Sequence, residues 1–591
     1  MKNSSPPPTV VISERYLPWI VLAAGALVYL NALPGILFWD SEVLILNNVF
    51  LRSFRYLPEI YTTSVMAGGG AVTNYYRPIP VAFLLLQYQL WGTSPLGYHA
   101  VTILAHLAAA GLVFAWVRRL SGTARLGFWT ALLFVLHPIQ NETVNYVDHI
   151  EGILALIFGL LALILYTDKK RWLSLLPWAA CLLCKEEGVV IFLFLSLYQF
   201  LRPDADQADS RPLRERLRGM LHLWPHASVL GAYVILKLTV FNFLRLSITE
   251  YGAQKGAYGE LGLRLLTFAK ALAVYAKLLL VPIGLHFDRD MEPVSTYANL
   301  GAWACAAGAI TVFWLLWRTL GDKDRSARTG RYGLLCTAAA LLPYSGLVPF
   351  NNILAEHFLY IPTIGLFLAL VVLAAKHHSR LPAELAAGLL GGLLVFYAAQ
   401  DFRRNRDWQD PSRLYETTLK GNPKSFRAAN NLGAEYFRKG NILDARRKFA
   451  QALAAHATYA PALNNIGAVE EAQGNLNAAL HWYARSAKAD PAYSLAHKNT
   501  AGIHLKLKHF KNAEAAANMA LRHYPQYADA WNLLGAALFS QHRLDEAVEA
   551  LERSAVLRPS RAAFLNLALV YRSLGMSEKE RAARTAASRL P

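Results

Sequence analysis

The apolar positions of this chain fall into two regimes. From residue 17 to about residue 400, long apolar runs alternate with short segments that carry Lys and Arg. From residue 401 onward the sequence is polar and Ala-rich. Uninterrupted apolar runs of about 20 residues are the length a helix needs to cross a bilayer. The pattern therefore predicts an all-α chain with a polytopic membrane domain over 17–400 and a water-soluble domain after it. Eleven runs qualify as spans: 17–35, 97–116, 126–140, 150–166, 172–184, 187–201, 223–243, 299–318, 331–349, 357–375 and 383–399. Several are short against a hydrocarbon layer of roughly 30 Å. The pairs around 126–166 and 172–201 are expected to tilt or to break near the polar surface. Residues 1–16 form a polar tail. No small-residue cleavage pattern follows the first apolar run, so it is expected to stay as a span.

The second regime repeats with a period of 34 residues. Ala445, Ala479, Ala513 and Ala547 are in phase, and so are Pro491, Pro525 and Pro559. Leu432-Gly433, Ile466-Gly467 and Leu534-Gly535 hold a small residue in the first helix of each unit. Phe449, Tyr483 and Leu551 hold a large apolar one in the second. Small residues let paired helices approach, and the proline ends the second helix. This is the signature of tetratricopeptide repeats, which stack into an α-solenoid. Four full repeats are expected from 426 to 559. A degenerate half-repeat (Leu414 to Pro423) in the junction 401–425 precedes them, and a drifted fifth repeat (Phe564 to Leu590) completes the domain 426–591. Asn431, Asn465 and Asn499 recur at one position of the first helix. They are candidates for binding the backbone of an extended acceptor peptide; the alternative is an exposed polar position in a duplicated unit.

Charge orients the membrane half. The 591 residues are 54% hydrophobic and 17% charged, with a net charge of +19. So basic a chain invites a nucleic-acid reading. The cations, however, sit largely in short loops between spans, which points to orientation signals and anionic lipid instead. With the N-terminus inside, Arg118, Arg119, Arg125, Lys169, Lys170, Arg171, Arg202, Arg211, Arg214, Arg216, Arg218, Arg318, Lys323, Arg325, Arg328, Arg331, Lys376 and Arg380 all fall inside. The outside loops around 141–149 and 350–356 carry no Lys or Arg. This layout leaves Leu263 to Leu285, marked by Arg264, Lys270 and Lys277, as an interfacial or re-entrant helix within 244–298. The first outer loop, 36–96, the 141–149 turn, the 350–356 loop and the repeats then share the outer face. The four cysteines (Cys181, Cys184, Cys305, Cys336) lie in apolar segments. They form no disulfide framework, and the lone C-x-x-C lacks the second pair that a metal site needs.

Ionisable residues at a membrane edge are costly and so mark functional candidates. Asp40 and Glu42 follow the first span; a carboxylate held in a partly dry site can deprotonate a hydroxyl, and the alternative is a solvated helix end. Arg77, in Tyr76-Arg77-Pro78, suits either a bidentate phosphate contact or a headgroup anchor. His137, Pro138 and Glu142 bound an outer turn with Asp148, His149 and Glu151 nearby. Such a set lines a polar cavity or binds metal, and without helical ligand spacing the cavity takes precedence. Lys185-Glu186-Glu187-Gly188 interrupts two apolar runs, which suits phosphate or substrate contact. Glu356-His357 and Tyr360-Ile361-Pro362 open a further span. His286, Asp288, Arg289 and Asp290 end the interfacial helix and either touch substrate or cap a loop. Asn141-Glu142-Thr143 matches a glycosylation sequon but sits at the membrane edge.

Taken in order, these motifs resemble the transmembrane and tetratricopeptide-repeat O-mannosyltransferase family, membrane glycosyltransferases of the GT-C class. The matching elements are Asp40 followed by Leu44-Ile45 and Asn47-Asn48; Tyr76 to Pro78; His137-Pro138 with Glu142; Lys185-Glu186 with Gly188; Ala355 to Pro362; and Arg404-Asn405 with Trp408. The set covers nearly the whole chain. Three places depart from the pattern. The second acid is Ser41, with Glu42 one place later. Gly-Arg-x-Asp is replaced by His149-Ile150-Glu151-Gly152. The Arg of Ala-Glu-Arg is His357. By resemblance, Asp40, with Glu42, would serve an acceptor Ser or Thr hydroxyl. Arg77, His137, Glu142, Lys185, Glu186, Glu356, His357 and Tyr360 would bind the phosphate and sugar of a polyprenyl-phosphate donor. The repeats would hold the protein acceptor. A resident cofactor is not implied, and a divalent metal is compatible with the site. Mannose specificity is open. The bacterial inner membrane with periplasmic repeats is the expected location, or the endoplasmic reticulum with lumenal repeats. Two other functions fit the same architecture: an envelope oligosaccharide ligase or polymerase, and a non-catalytic membrane scaffold.

Overall fold

The computed structural model describes residues 13–71, 73–205, 212–243, 260–348, 352–377 and 382–590. The tail up to residue 12, Arg211, the stretch 244–259 of the interfacial segment, positions 350–351 of the outer loop and Arg380 lie outside the described residues. Among the described residues the chain is helical, with no strand. It divides into two compact units that do not follow chain order. One comprises Met1–Leu37, Asn74–Phe83 and Trp91–Asp410; the other comprises Phe38–Thr73, Leu84–Leu90 and Pro411–Pro591. The segment that carries Asp40 thus belongs with the repeats.

In the first unit all eleven apolar runs are helical: Leu17–Tyr29, Pro95–Ser121, Ala124–Leu136, Ile150–Thr167, Leu175–Cys184, Val190–Leu201, Trp224–Leu238, Leu300–Leu320, Arg325–Leu341, Pro362–His377 and Ala383–Asn405. Their ends follow local chemistry. Pro at the first turn starts Leu17–Tyr29, Pro95–Ser121 and Trp224–Leu238, where a missing N–H costs nothing. Asp324 and Asn299 cap their helices by accepting from Ala327 N at 2.8 Å and Ala302 N at 3.0 Å. Gly122, at φ 76°, closes Pro95–Ser121 in the left-handed conformation.

Six helical stretches among the described residues are long and apolar enough to cross a bilayer, and the chain is a multi-pass membrane protein. Ala124–Leu136, Leu175–Cys184 and Pro362–His377 are shorter. At 1.5 Å per residue, a 13-residue helix reaches only about 20 Å. Two of these three therefore run into polar turns, at His137-Pro138 and at Glu186–Val189. Leu261–Leu280, within the stretch read as interfacial, is not among the six. Its Tyr275 and Leu278 pack with Ile139, Leu285, Tyr344 and Phe358 in an apolar cluster beside those turns. Arg325–Leu341 and Pro362–His377 approach so closely that a Cβ on Gly333 would lie 2.7 Å from the Gly365 carbonyl oxygen. Small residues at helix contacts permit this approach.

The second unit contains five helix pairs: Phe426–Arg438 with Ile442–Ala455, Ala460–Ala472 with Leu476–Ala489, Ser494–Lys506 with Phe510–His523, Ala528–Ser540 with Leu544–Leu557, and Arg561–Ser573 with Ser577–Ser588. The first four pairs are tetratricopeptide repeats in the expected frame, and the fifth follows where the drifted repeat was expected. The half-repeat is one helix, Pro411–Gly421. The glycines are required by packing: a Cβ on Gly433 or Gly467 would stand 2.7 Å from Phe449 or 2.6 Å from Tyr483. The segment 38–71 folds as short helical turns against these helices. Phe38 packs edge-on to Tyr415. Far along the array, Tyr524 donates a hydrogen bond to the Gly68 carbonyl at 3.3 Å. Gly70 lies under the Tyr524 ring at φ 91°, where no side chain fits.

Candidate functional site

Three polar turns interrupt the helices of the first unit, and their charged residues meet. Arg77 donates from Nε to Glu186 at 2.8 Å and from Nη1 to Glu151 at 2.5 Å. The Lys185 ammonium lies 2.8 Å from Glu187 and 3.8 Å from Glu151. Lys237 pairs with Glu186 at 3.3 Å and donates to the Asn74 carbonyl. Taking these charges out of water is expensive, and their mutual pairing offsets that cost. Burial works against the Glu186 charge, yet Arg77 and Lys237 hold its carboxyl below the usual range.

Glu356 is fully buried and accepts from Arg289 Nε at 2.7 Å and from the His286 amide at 2.8 Å. Burial raises its pKa, and Arg289 and Arg404 only partly offset that. Burial and Arg289 push the His286 imidazole down to about 4. The next residue, His357, shares a 2.5 Å hydrogen bond between its Nδ1 and Glu142 Oε1. The His149 ring lies beside it, tilted by 48°, with ring centroids 4.2 Å apart. Glu142, His149 and His357 form a group, among the described residues, whose potential ligand atoms all lie within 4.8 Å of one another.

The turn that carries Glu142 is held by amides. Asn141 donates to Asp401 at 3.0 Å and to Asn405 at 2.7 Å; Asn145 donates to Asn405 at 2.9 Å. Asn405 in turn donates to the Val28 carbonyl and to Asn31. Asn405 is thus a hub between the first helix, the turn and the last helix of the unit. Its motif with Arg404 and Trp408 reads in sequence only as a junction. Asn141 is fully buried, so the sequon is a structural asparagine.

Of the residues expected to contact donor, Arg77, Glu142, Lys185, Glu186, Glu356 and His357 lie in these networks. His137 and Tyr360 are engaged elsewhere. His137 accepts from the Ile139 amide at 3.1 Å and bonds the Leu279 carbonyl at 3.0 Å, so it holds the turn. Tyr360 shares a 2.9 Å hydrogen bond with His106 and packs on Phe134 in the apolar core. Glu151, Glu187, Lys237 and Arg289 complete the networks. A charge in or beside an apolar run announced a need for partners, but not which ones.

The second unit holds the acidic loop. Trp39, with a bulky side chain, adopts φ 58° immediately before Asp40. That conformation is strained for such a residue and sharply redirects the chain. Its ring lies 5.9 Å from that of Tyr415. Glu42 is solvent-exposed. Partial loss of hydration beside the repeats still raises its pKa, with Glu435 adding to the effect and Arg438 opposing it. Tyr415 also hydrogen-bonds Asn431. The repeated asparagines bond one another: Asn465 donates to Asn430 at 3.0 Å and Asn499 to Asn464 at 2.9 Å. Asn430 and Asn464 donate to the oxygens of Asn431 and Asn465 at 3.1 and 3.4 Å. The three residues expected to meet acceptor thus form a ladder that begins at the acidic loop.

Comparison with known proteins agrees with the resemblance drawn from the motifs. The family model described as tetratricopeptide repeat matches residues 432–494 and 501–562. Over 454 residues the chain is 25% identical to "Protein O-mannosyl-transferase F38B6.6" of Caenorhabditis elegans, covering 74% of this chain and 63% of that protein. Over 414 residues it is 28% identical to "Protein O-mannosyl-transferase TMTC3" of Mus musculus, covering 64% and 44%. The chain spans less than two thirds of the length of either relative. Among solved structures, the crystal structure of MamA matches with 22% identity and a TM-score of 0.25, over 27% of this chain and 93% of that one.

Proposed function

We propose that this protein is a membrane glycosyltransferase that moves a hexose from a polyprenyl-phosphate donor to Ser or Thr hydroxyls of a protein acceptor. The relatives' names support O-mannosyl transfer, and mannose is the first donor to test. The observation that carries the reading is the packing of the acidic loop onto the start of the repeat array. Trp39 rests on Tyr415, and Tyr415 bonds Asn431. A peptide seated along the asparagine ladder therefore runs toward Asp40. Asp40 takes the proton of the acceptor hydroxyl as its oxygen bonds to the anomeric carbon. The bond from that carbon to the phosphate oxygen breaks, and polyprenyl phosphate leaves with inversion. Lys185 and His357 belong to the cluster assigned to the donor phosphate. Tethering raises the effective concentration of a weakly bound acceptor. The proposed setting is a bacterial inner membrane with the repeats in the periplasm.

The test uses purified protein in lipid, a panel of polyprenyl-phosphate sugars and a periplasmic or lumenal protein extract. Wild type should release polyprenyl phosphate from one donor and label a protein. Asp40→Asn should slow transfer by about 10²- to 10⁴-fold, the range of a lost general base. A folded Asp40→Asn protein with full transfer would overturn the assignment. Transfer of many sugars per donor would favour the ligase reading, and no transfer from any donor the scaffold.

A further inference from the structure

We propose that Glu142, His149 and His357 bind a divalent transition-metal ion of the zinc class. Glu142 and His149 come from neighbouring helical turns within 141–149, and His357 from a turn 215 residues beyond Glu142, which sequence spacing does not connect to them. Two imidazoles and one carboxylate are a common donor set for such ions, and they leave coordination positions open. The 4.8 Å spread of the ligand atoms contracts to the roughly 3.3 Å edge of a tetrahedral shell with small side-chain rotations.

Two observations besides the convergence point to a ligand. His149 Nδ1 is buried and has no hydrogen-bond partner. A buried nitrogen in that state is costly, and a metal ion uses its lone pair. Two of the ligands are also held by their neighbours: Asn141 and Asn145 pin the turn of Glu142, and Arg289 pins Glu356 beside His357. Supports of this kind orient metal ligands.

The surrounding charge suggests what the ion does. Glu151, Glu186 and Glu187 already engage the cations Arg77, Lys185 and Lys237, and Glu142 engages His357. Four acids against three bases leave no surplus positive charge for an incoming phosphate. A divalent ion supplies it. Two of the three places where the chain departs from the resembled pattern, 149–152 and the position of His357, furnish the two imidazoles. The phosphate role rests on the function proposed above; the metal site does not.

The test is metal uptake, read without any transfer assay. Tag-free full-length protein in detergent is stripped with chelator and titrated with Co²⁺, then with Zn²⁺ in competition. One Co²⁺ per chain with a visible ligand-field band, displaced by Zn²⁺, is expected. His149→Gln and His357→Gln should each weaken binding at least ~10-fold. His497→Gln, in the repeats, should not; it tests the paired surface imidazoles of His497 and His523. X-ray absorption on the wild-type zinc form should count two imidazoles, which keeps the proposal testable if a variant fails to fold. Uptake unchanged in both site variants, no uptake by folded wild type, or a zinc shell without two imidazoles would each overturn it. Metal uptake without sugar transfer would leave the site standing and remove the enzyme reading instead.

Discussion

Replacing Arg77 with Met asks whether this side chain is a lock or a phosphate ligand. Met keeps much of the length and removes the fork. Glu151 then retains only Lys185, at 3.8 Å, and Glu186 only Lys237, at 3.3 Å. Arg77 and Glu151 are each 12% exposed, and Glu186 is 30% exposed. Removing one partner of a buried pair costs about 3–5 kcal/mol, because the other charge stays buried. The partial exposure of Glu186 moves the expectation to the lower end, ~3 kcal/mol. In a heating series followed by size-exclusion chromatography in one detergent, Arg77→Met should lose its monodisperse peak roughly 5 °C or more below wild type. Adding Glu186→Gln should recover part of the loss, since it removes the stranded carboxylate. An Arg77→Met protein that melts with wild type but binds donor weakly would refute the lock. It would return Arg77 to the donor phosphate.

Two further predictions follow from burial and packing. His286 is depressed to about 4 in the folded chain, against an ordinary value of 6.5. Folding then excludes a proton that the unfolded chain binds, so stability is intact above pH ~6.5. It falls as the pH drops toward ~4, by up to about 3 kcal/mol. His286→Asn should flatten that part of a melting-temperature profile against pH; an unchanged slope would contradict the assignment. In the repeats, Gly467→Val would drive a side chain into the Tyr483 ring, 2.6 Å from the new Cβ. A loss of about 1–3 kcal/mol is expected from such overpacking, read as faster proteolysis of the repeat region. Gly502→Ala, where nothing lies within 4 Å, should be neutral or stabilising.

The helices were legible because apolar length and the 34-residue period are local properties of the chain. Each expected span is a helix, and each of the four aligned repeats is a helix pair. The polar residues were legible as candidates but not as partners. His357 and Glu142 are 215 residues apart, and Arg77 and Glu186 are 109 apart. No periodicity connects such positions. The asparagines show the same limit. Their recurrence suggested side chains facing a ligand; that Asn465 and Asn499 also reach back to an asparagine 35 residues earlier was not legible. The helix Pro78–Trp91 and the membership of 38–73 in the repeat unit were also hidden. The second depends on aromatic contacts with Tyr415 and Tyr524, which lie beyond the whole membrane half.

The bond from Tyr524 to Gly68 joins residues 456 positions apart, and this sets a timetable for biosynthesis. At the ~5–20 residues per second of chain elongation, Gly68 waits roughly 20–90 s after its own synthesis before Tyr524 exists. During that interval Phe38, Trp39 and the glycine-rich turn have been made, and the helices they will cover have not. The nascent chain therefore presents an aromatic strap whose covering helices are still to be made until the ribosome has passed the repeats. A ribosome stalled inside the repeats would hold that strap open, and chaperones that shield exposed aromatics would find their substrate there.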